Sequence, residues 1–147
     1  MGRYILTQHY SKEAFMFDTL LCLNKQISTK FERCTGISPS RLRLLLQLYL
    51  VDEISQTDLQ KKVDIDSAAV TRQLKQLEVA GVVERRNNPD DNRVTLVRLS
   101  GVGRKGIVSH MDEKAQFITQ MLDGFSEQEQ SMLTDMLQRM TNNISEF

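Results

Sequence analysis

Apolar residues recur along this chain in two rhythms, and the change from one to the other divides it into elements. Over residues 67–81, Val70, Leu74 and Leu77 fall at i, i+4 and i+7, the stripe of an amphipathic helix. At 3.6 residues per turn the opposite side carries Ala68, Thr71, Arg72, Lys75 and Gln76. Upstream, Ser11 can cap a helix whose apolar positions run from Ala14 through Phe17, Leu21 and Ile27 toward Phe31 and Cys34, with Gly36 as its stop. Ser38 and Pro39 read as an N-cap followed by Pro at the first helical position. The helix they open carries Leu42, Leu45, Leu46, Leu48 and Leu50, is apolar on more than one side, and is expected to be buried. Ser55 opens a short helix with Asp58 in the capping-box position and Leu59 and Val63 facing inward. Asp64-Ile65-Asp66 is then a turn, Asp66 caps the helix of residues 67–81, and Gly81 ends it as a C′ residue.

After Gly81 the rhythm shortens. Val82 to Arg86 carries β-branched residues, Asn87 to Asn92 is dense in turn formers, and Arg93 to Leu99 alternates. Alternation puts Val94, Leu96 and Arg98 on one face and Thr95, Val97 and Leu99 on the other, so the two strands make a hairpin with a polar, basic tip. Ser100 and the Gly101/Gly103 pair lead into a long helix expected from about Arg104 to Asp123, with Ile107, Met111, Ala115, Ile118 and Leu122 at apolar spacing. Gly124 breaks it. Ser126 to Glu129 is a capping box for a last helix, where Met132, Leu133, Met136, Leu137, Met140 and Ile144 form a wide stripe. A Met-rich stripe reads as core, and here the core is expected to lie between helices at the two chain ends or between two copies of the chain.

The 147 residues, 40% hydrophobic and 26% charged, suit one soluble globular chain. No apolar run approaches the roughly 18 residues a membrane span needs. The first ten residues lack the apolar core of a secretory signal, and Gly2 starts no lipidation motif because position 6 is Leu. A cytoplasmic location is expected. Net charge is zero, which alone weighs against nucleic-acid binding, but the charge is unevenly spread. Between 67 and 98, Arg72, Lys75, Arg85, Arg86, Arg93 and Arg98 outnumber Glu78, Glu84, Asp90 and Asp91. Between 107 and 147 only Lys114 and Arg139 oppose seven acids. The middle is weakly basic and the end acidic.

Helix, short helix, tight turn, polar-faced helix and basic-tipped hairpin follow one another in the order of a winged helix-turn-helix. The fold class is therefore mainly α with a small β-hairpin (α+β), flanked by N- and C-terminal dimerisation helices. Residues 38–99 are expected to form the DNA-binding lobe, and 1–36 with 100–147 the helical dimerisation region. Arg and Lys suit guanine, Gln suits adenine, and Thr serves hydrogen bonds or a thymine methyl, so residues 67–81 have the chemistry of a recognition helix. A solvated helix face has the same composition, and a winged helix used for protein–protein contact is the rival of a different class.

Within this order the sequence resembles the MarR (multiple antibiotic resistance regulator) family of bacterial transcription factors. Val70-Thr71-Arg72, Leu77-Glu78 and Gly81-Val82-Val83 resemble the family's recognition helix and its exit. Asp91-Asn92-Arg93, then Leu96 to Ser100 and Gly103, resemble its wing and the start of the next helix. The resemblance implies a homodimer, each lobe meeting one half of a pseudo-palindromic double-stranded operator, and a repressor released by a small aromatic ligand. It places Ala68, Thr71, Arg72, Lys75 and Gln76 toward the major groove and Arg93 at the minor groove, with Asp91 bracing it. A simple turn-stabilising ion pair is the other reading of Asp91 and Arg93. Arg86, Asn88, Ser55 and Thr57 become phosphate contacts. Phe17, Ile118, Leu122 and the Met132–Ile144 stripe become dimerisation positions. Gln60 and Lys61 depart from the small residues common there, so packing between the two helices of the motif is expected to differ.

Other chemistry is sparse. Cys22 and Cys34 lie twelve residues apart with no zinc or CxxC spacing. Cys22 reads as a buried free thiol, and Cys34, near Lys30 and Arg33, as a partly exposed redox candidate in an alternative thiol-sensing regulator. His9 and His110 are isolated. His110 shares a helix face with Glu113, which without further ligands holds no metal. No nucleophile–base pair, phosphate loop or acid pair of enzymatic type occurs, so neither enzymatic activity nor a cofactor is expected.

Overall fold

The computed structural model describes residues 11–147, which leaves His9 and Gly2 outside the described residues. Among the described residues six helices and a small sheet follow in the order α1 (Lys12–Thr35), α2 (Pro39–Tyr49), β1 (Ile54–Ser55), α3 (Gln56–Lys62), α4 (Ser67–Val79), β2 (Val83–Asn88), β3 (Asp91–Leu99), α5 (Gly101–Met121) and α6 (Glu127–Ile144). The chain divides into two compact units at Glu113/Lys114.

In the first unit, helix limits follow local chemistry. The Ser11 hydroxyl accepts from Ala14 N at 3.1 Å, Ser38 from Arg41 N at 3.2 Å, Ser55 from Asp58 N at 3.1 Å, and the Asp66 carboxylate from Ala69 N at 3.2 Å. Gly36 and Gly81, both at φ 75°, turn the chain out of α1 and α4 in the left-handed region that favours glycine. Leu42, Leu44, Leu45 and Leu48 of α2 are buried with Leu59 and Val63, the α4 stripe Val70, Leu74 and Leu77, and Val83, Val97 and Leu99 of the sheet. Of the β3 faces, the Thr95–Val97–Leu99 side is the inner one.

Three elements differ from the sequence reading. β1, two residues long, joins the sheet beside β3 through the pairs Ile54–Val97 and Ser55–Leu96, giving the antiparallel order β1-β3-β2. Its pairing is long-range and leaves no local signal. The hairpin is also longer than its turn formers suggest. Asn87, Asn88, Asp91 and Asn92 all lie in strands, so the loop shrinks to Pro89 and Asp90, with a register irregularity at Asn87/Asn88. Finally, α5 starts at Gly101 rather than Arg104, because the Ser100 hydroxyl already accepts from Gly103 N at 3.0 Å.

In the second unit α5 ends at Met121, Gly124 has φ 83°, and α6 opens on the full capping box. Ser126 Oγ accepts from Glu129 N at 3.1 Å, while Glu129 Oε1 accepts from Ser126 N at 3.0 Å. Met132, Met136, Leu137 and Ile144 are exposed on α6, as are Phe15, Phe17 and Leu21 on α1. Leu122, Leu133 and Met140 are half-buried and Ile118 is exposed. Cys22 is exposed, not buried: its stretch of α1 covers little surface within the single chain.

Candidate nucleic-acid interface

The short α3 sets the entry to α4. Gln60 Nε2 donates to Ile65 O at 2.8 Å across the turn. The residue that departs from the family's small side chain thus fastens the turn itself. On α4, Ala68, Arg72, Lys75 and Gln76 are exposed and Thr71 is half-buried. Neither Arg72 nor Lys75 enters an ion pair among the described residues. Thr71 Oγ1 donates to Ser67 O at 3.1 Å and accepts from Gln56 Nε2 at 3.3 Å.

A concave polar site of about 310 Å³ joins three elements. Gln56, Thr57 and Gln60 come from α3, Ser67 and Thr71 from α4, and Arg93 from the wing strand β3. Recognition helix and wing, separate in sequence, therefore share one surface. The Arg93 side chain is 90% exposed, and its guanidinium is held by Asp91 through Nε–Oδ1 at 3.0 Å and Nη2–Oδ2 at 3.2 Å. Asp91 Oδ1 also accepts from Arg93 N at 3.1 Å, so the acid fixes both side chain and turn, and Nη1 stays uncommitted.

Ser55, Arg86 and Asn88 lie outside that site. Ser55 caps α3. Asn88 Oδ1 accepts from Asp90 N at 3.0 Å and shapes the two-residue loop. Arg86 spends Nε and Nη2 on Glu53, at 2.9 and 2.7 Å. Arg85 and Glu78 form a second two-point pair that ties the last turn of α4 to β2. Several polar anchors escape a linear reading. Arg41 of α2 donates to Gln76 Oε1. Arg104 donates to Tyr49 O at 3.3 Å and Val51 O at 2.7 Å, satisfying carbonyls at and just past the end of α2, and lies 5.6 Å from the Tyr49 ring centroid. Only Arg104 has a hint in sequence, as a cation at the start of a helix, where it opposes the helix dipole and so needs another purpose.

Arg93, through its side chain and then its backbone N–H, holds the Asp91 carboxyl below its usual range. Hydrogen bonding by Arg86 lowers Glu53, and by Arg85 lowers Glu78. A carboxylate whose folded pKa is depressed adds stability above its unfolded pKa and loses it as pH falls through the folded value. Glu53→Gln is therefore expected to lower the melting temperature slightly at pH 7. The difference should shrink as pH falls below the ordinary glutamate range and through the lowered folded value, where the carboxyl becomes protonated in folded and unfolded chains alike. Circular dichroism melts across that range check it, and a difference independent of pH contradicts it.

Cys34 is exposed near the end of α1, and His110 Nδ1 lies 3.3 Å from Glu113 Oε2. No group of three metal-ligating side chains occurs among the described residues, and no described helix is long and apolar enough to cross a membrane.

A recognition helix with two uncommitted cations, joined to a braced wing arginine, defines a winged helix-turn-helix DNA-binding protein. The MarR family profile matches residues 37–95. The chain is 56% identical over 142 residues to the uncharacterized HTH-type transcriptional regulator YdgJ of Bacillus subtilis, covering 97% of this chain and 87% of that protein. Its fold matches a cysteine-to-serine variant of MarR from E. coli complexed with operator DNA (TM-score 0.79, 20% identity, 90% of this chain and 97% of that one). It also matches Bordetella bronchiseptica BpsR, whose DNA binding is regulated by 6-hydroxynicotinic acid (TM-score 0.73, 21% identity, 86% and 98%). The chain belongs to the MarR family of transcriptional regulators.

Proposed function

We propose that this regulator is a homodimeric repressor that holds a pseudo-palindromic operator and is released from it by a small-molecule ligand. The observation that carries the DNA reading is the single surface shared by α4, the start of α3 and the wing. In this reading 38–99 is the DNA-binding lobe, and 1–36 with 100–147 is the dimerisation region. Ala68, Thr71, Arg72, Lys75 and Gln76 meet base edges, while Ser55, Thr57, Arg86 and Asn88 meet phosphates. Arg93 enters the minor groove, whose negative potential in A·T-rich sequence attracts it, and Asp91 orients it. The exposed apolar positions of α1, α5 and α6 pack against a second copy. The operator complex of E. coli MarR supports the DNA partner, and ligand control of BpsR supports the trigger. A ligand acts by preferring a lobe spacing that misfits half-sites roughly 34–36 Å apart. The protein works in the cytoplasm by binding, with no cofactor and no enzymatic step.

Arg93→Ala tests the wing. Operator affinity at matched salt is expected to fall about tenfold or more, and the slope of log affinity against log salt to shrink by about 1, as one phosphate-proximal cation is lost. Dimer mass and melting temperature should stay unchanged, since the side chain is almost wholly exposed. Retained affinity contradicts the assignment.

A further inference from the structure

Hydrogen bonds within the protein change what the α4 face offers a base. Gln reads adenine with two bonds, its amide oxygen accepting from N6 while Nε2 donates to N7. In this fold Gln76 Oε1 already accepts from Arg41 Nη2. A guanidinium has donors only, so the amide oxygen is turned to α2 and both Nε2 hydrogens stay uncommitted. Thr71 is similarly spent. Its proton goes to Ser67 O and one lone pair to Gln56, which leaves one lone pair and its methyl group. Arg72 and Lys75 supply donors alone. From Arg72 to Gln76 the face thus presents chiefly donors, the Gln76 oxygen being turned to Arg41.

We infer that Arg41 is a specificity-determining positioning residue: by occupying the Gln76 oxygen it makes position 76 select guanine, with acceptors at O6 and N7, over adenine. The inference rests on the reading that α4 enters the major groove, and it adds a preference that the side-chain type alone would invert. Arg41 lies 35 residues from Gln76 in sequence, so the pairing exists only in the fold.

The test is selection of half-sites from a randomised duplex library by the full-length protein, Arg41→Met, Arg41→Lys and Gln76→Ala, at one salt concentration. Gln76→Ala is expected to relax one half-site position, and the unsubstituted protein to hold guanine there. Arg41→Met should move that position toward adenine by roughly tenfold while the others stay fixed. Arg41→Lys, which keeps a donor, should retain guanine. Adenine in the unsubstituted selection overturns the inference, as does a preference unmoved by Arg41→Met while Gln76→Ala relaxes it. Either result leaves α4 in the groove. If Gln76→Ala relaxes no position, Gln76 does not face a base, and both the placement and the inference fail. An Arg41→Met protein that weakens on all sequences equally marks Arg41 as a phosphate contact and also overturns it.

Discussion

Met132→Glu combined with Met136→Glu is expected to turn the proposed dimer into a monomer. Both side chains are exposed on α6, at 62% and 43%, although nothing about the helix demands apolar residues facing water. The capping box and the polar opposite side would hold α6 without them. Full burial of one Met contributes about 1.5–3 kcal/mol, and a twofold axis brings four substituted positions into one interface. Scaled by those exposures, even the lower value weakens association by roughly 10²-fold, before the cost of burying unpaired carboxylates is added. Sedimentation equilibrium should then report the mass of a single chain, while far-ultraviolet circular dichroism retains the helical signal. Operator affinity should fall with dimerisation, because each lobe loses the local concentration its partner provides. An intact dimer from this variant would refute α6 as an interface.

Gly103→Ala is expected to destabilise the first unit by about 1–3 kcal/mol, although Ala is the better helix former. A Cβ at position 103 would meet Val82 O at 2.2 Å, closer than such contacts occur. That oxygen cannot easily yield. It accepts from Ser100 N at 2.9 Å and lies 3.1 Å from Ser100 Oγ, whose one proton is shared between it and Gly81 O at 2.6 Å. The first turn of α5 is thereby seated on the backbone where the chain leaves α4. Any shift that relieves the clash displaces the exit of the recognition helix, so operator affinity should fall together with melting temperature. Gly106→Ala is the matched control. It lies in the same helix with open space around it, and should stabilise by about 0.5–1 kcal/mol. Equal effects at the two positions would show that the contact with Val82 does not govern the junction.

Apart from the start of α5, helix limits were legible in the sequence because their causes are local. Ser11, Ser38, Ser55, Asp66 and Ser126 each cap within three residues, and Gly36 and Gly81 need only their own φ. The buried stripe of α4 was legible for the same reason. What escaped was tertiary. β1 exists because β3 lies beside it, and Asn87, Asn88 and Asp91 join the ladder because cross-strand bonds override their turn preference. Arg86 with Glu53, Arg41 with Gln76 and Arg104 with Tyr49 O pair across 33, 35 and 55 residues, distances at which no spacing rule operates. Residue types on the α4 face were readable; the atoms they leave free were not.

The α4–wing surface is proposed to hold a specific duplex as a symmetric pair. Footprinting on DNA adjoining the protein's own gene tests it most directly, with Arg72→Ala/Lys75→Ala and a scrambled duplex at the same salt as controls. Two protected half-sites about one helical turn apart, lost in the double variant and absent from the scrambled duplex, are the predicted result. Protection that ignores sequence, or that survives loss of both cations, would contradict it.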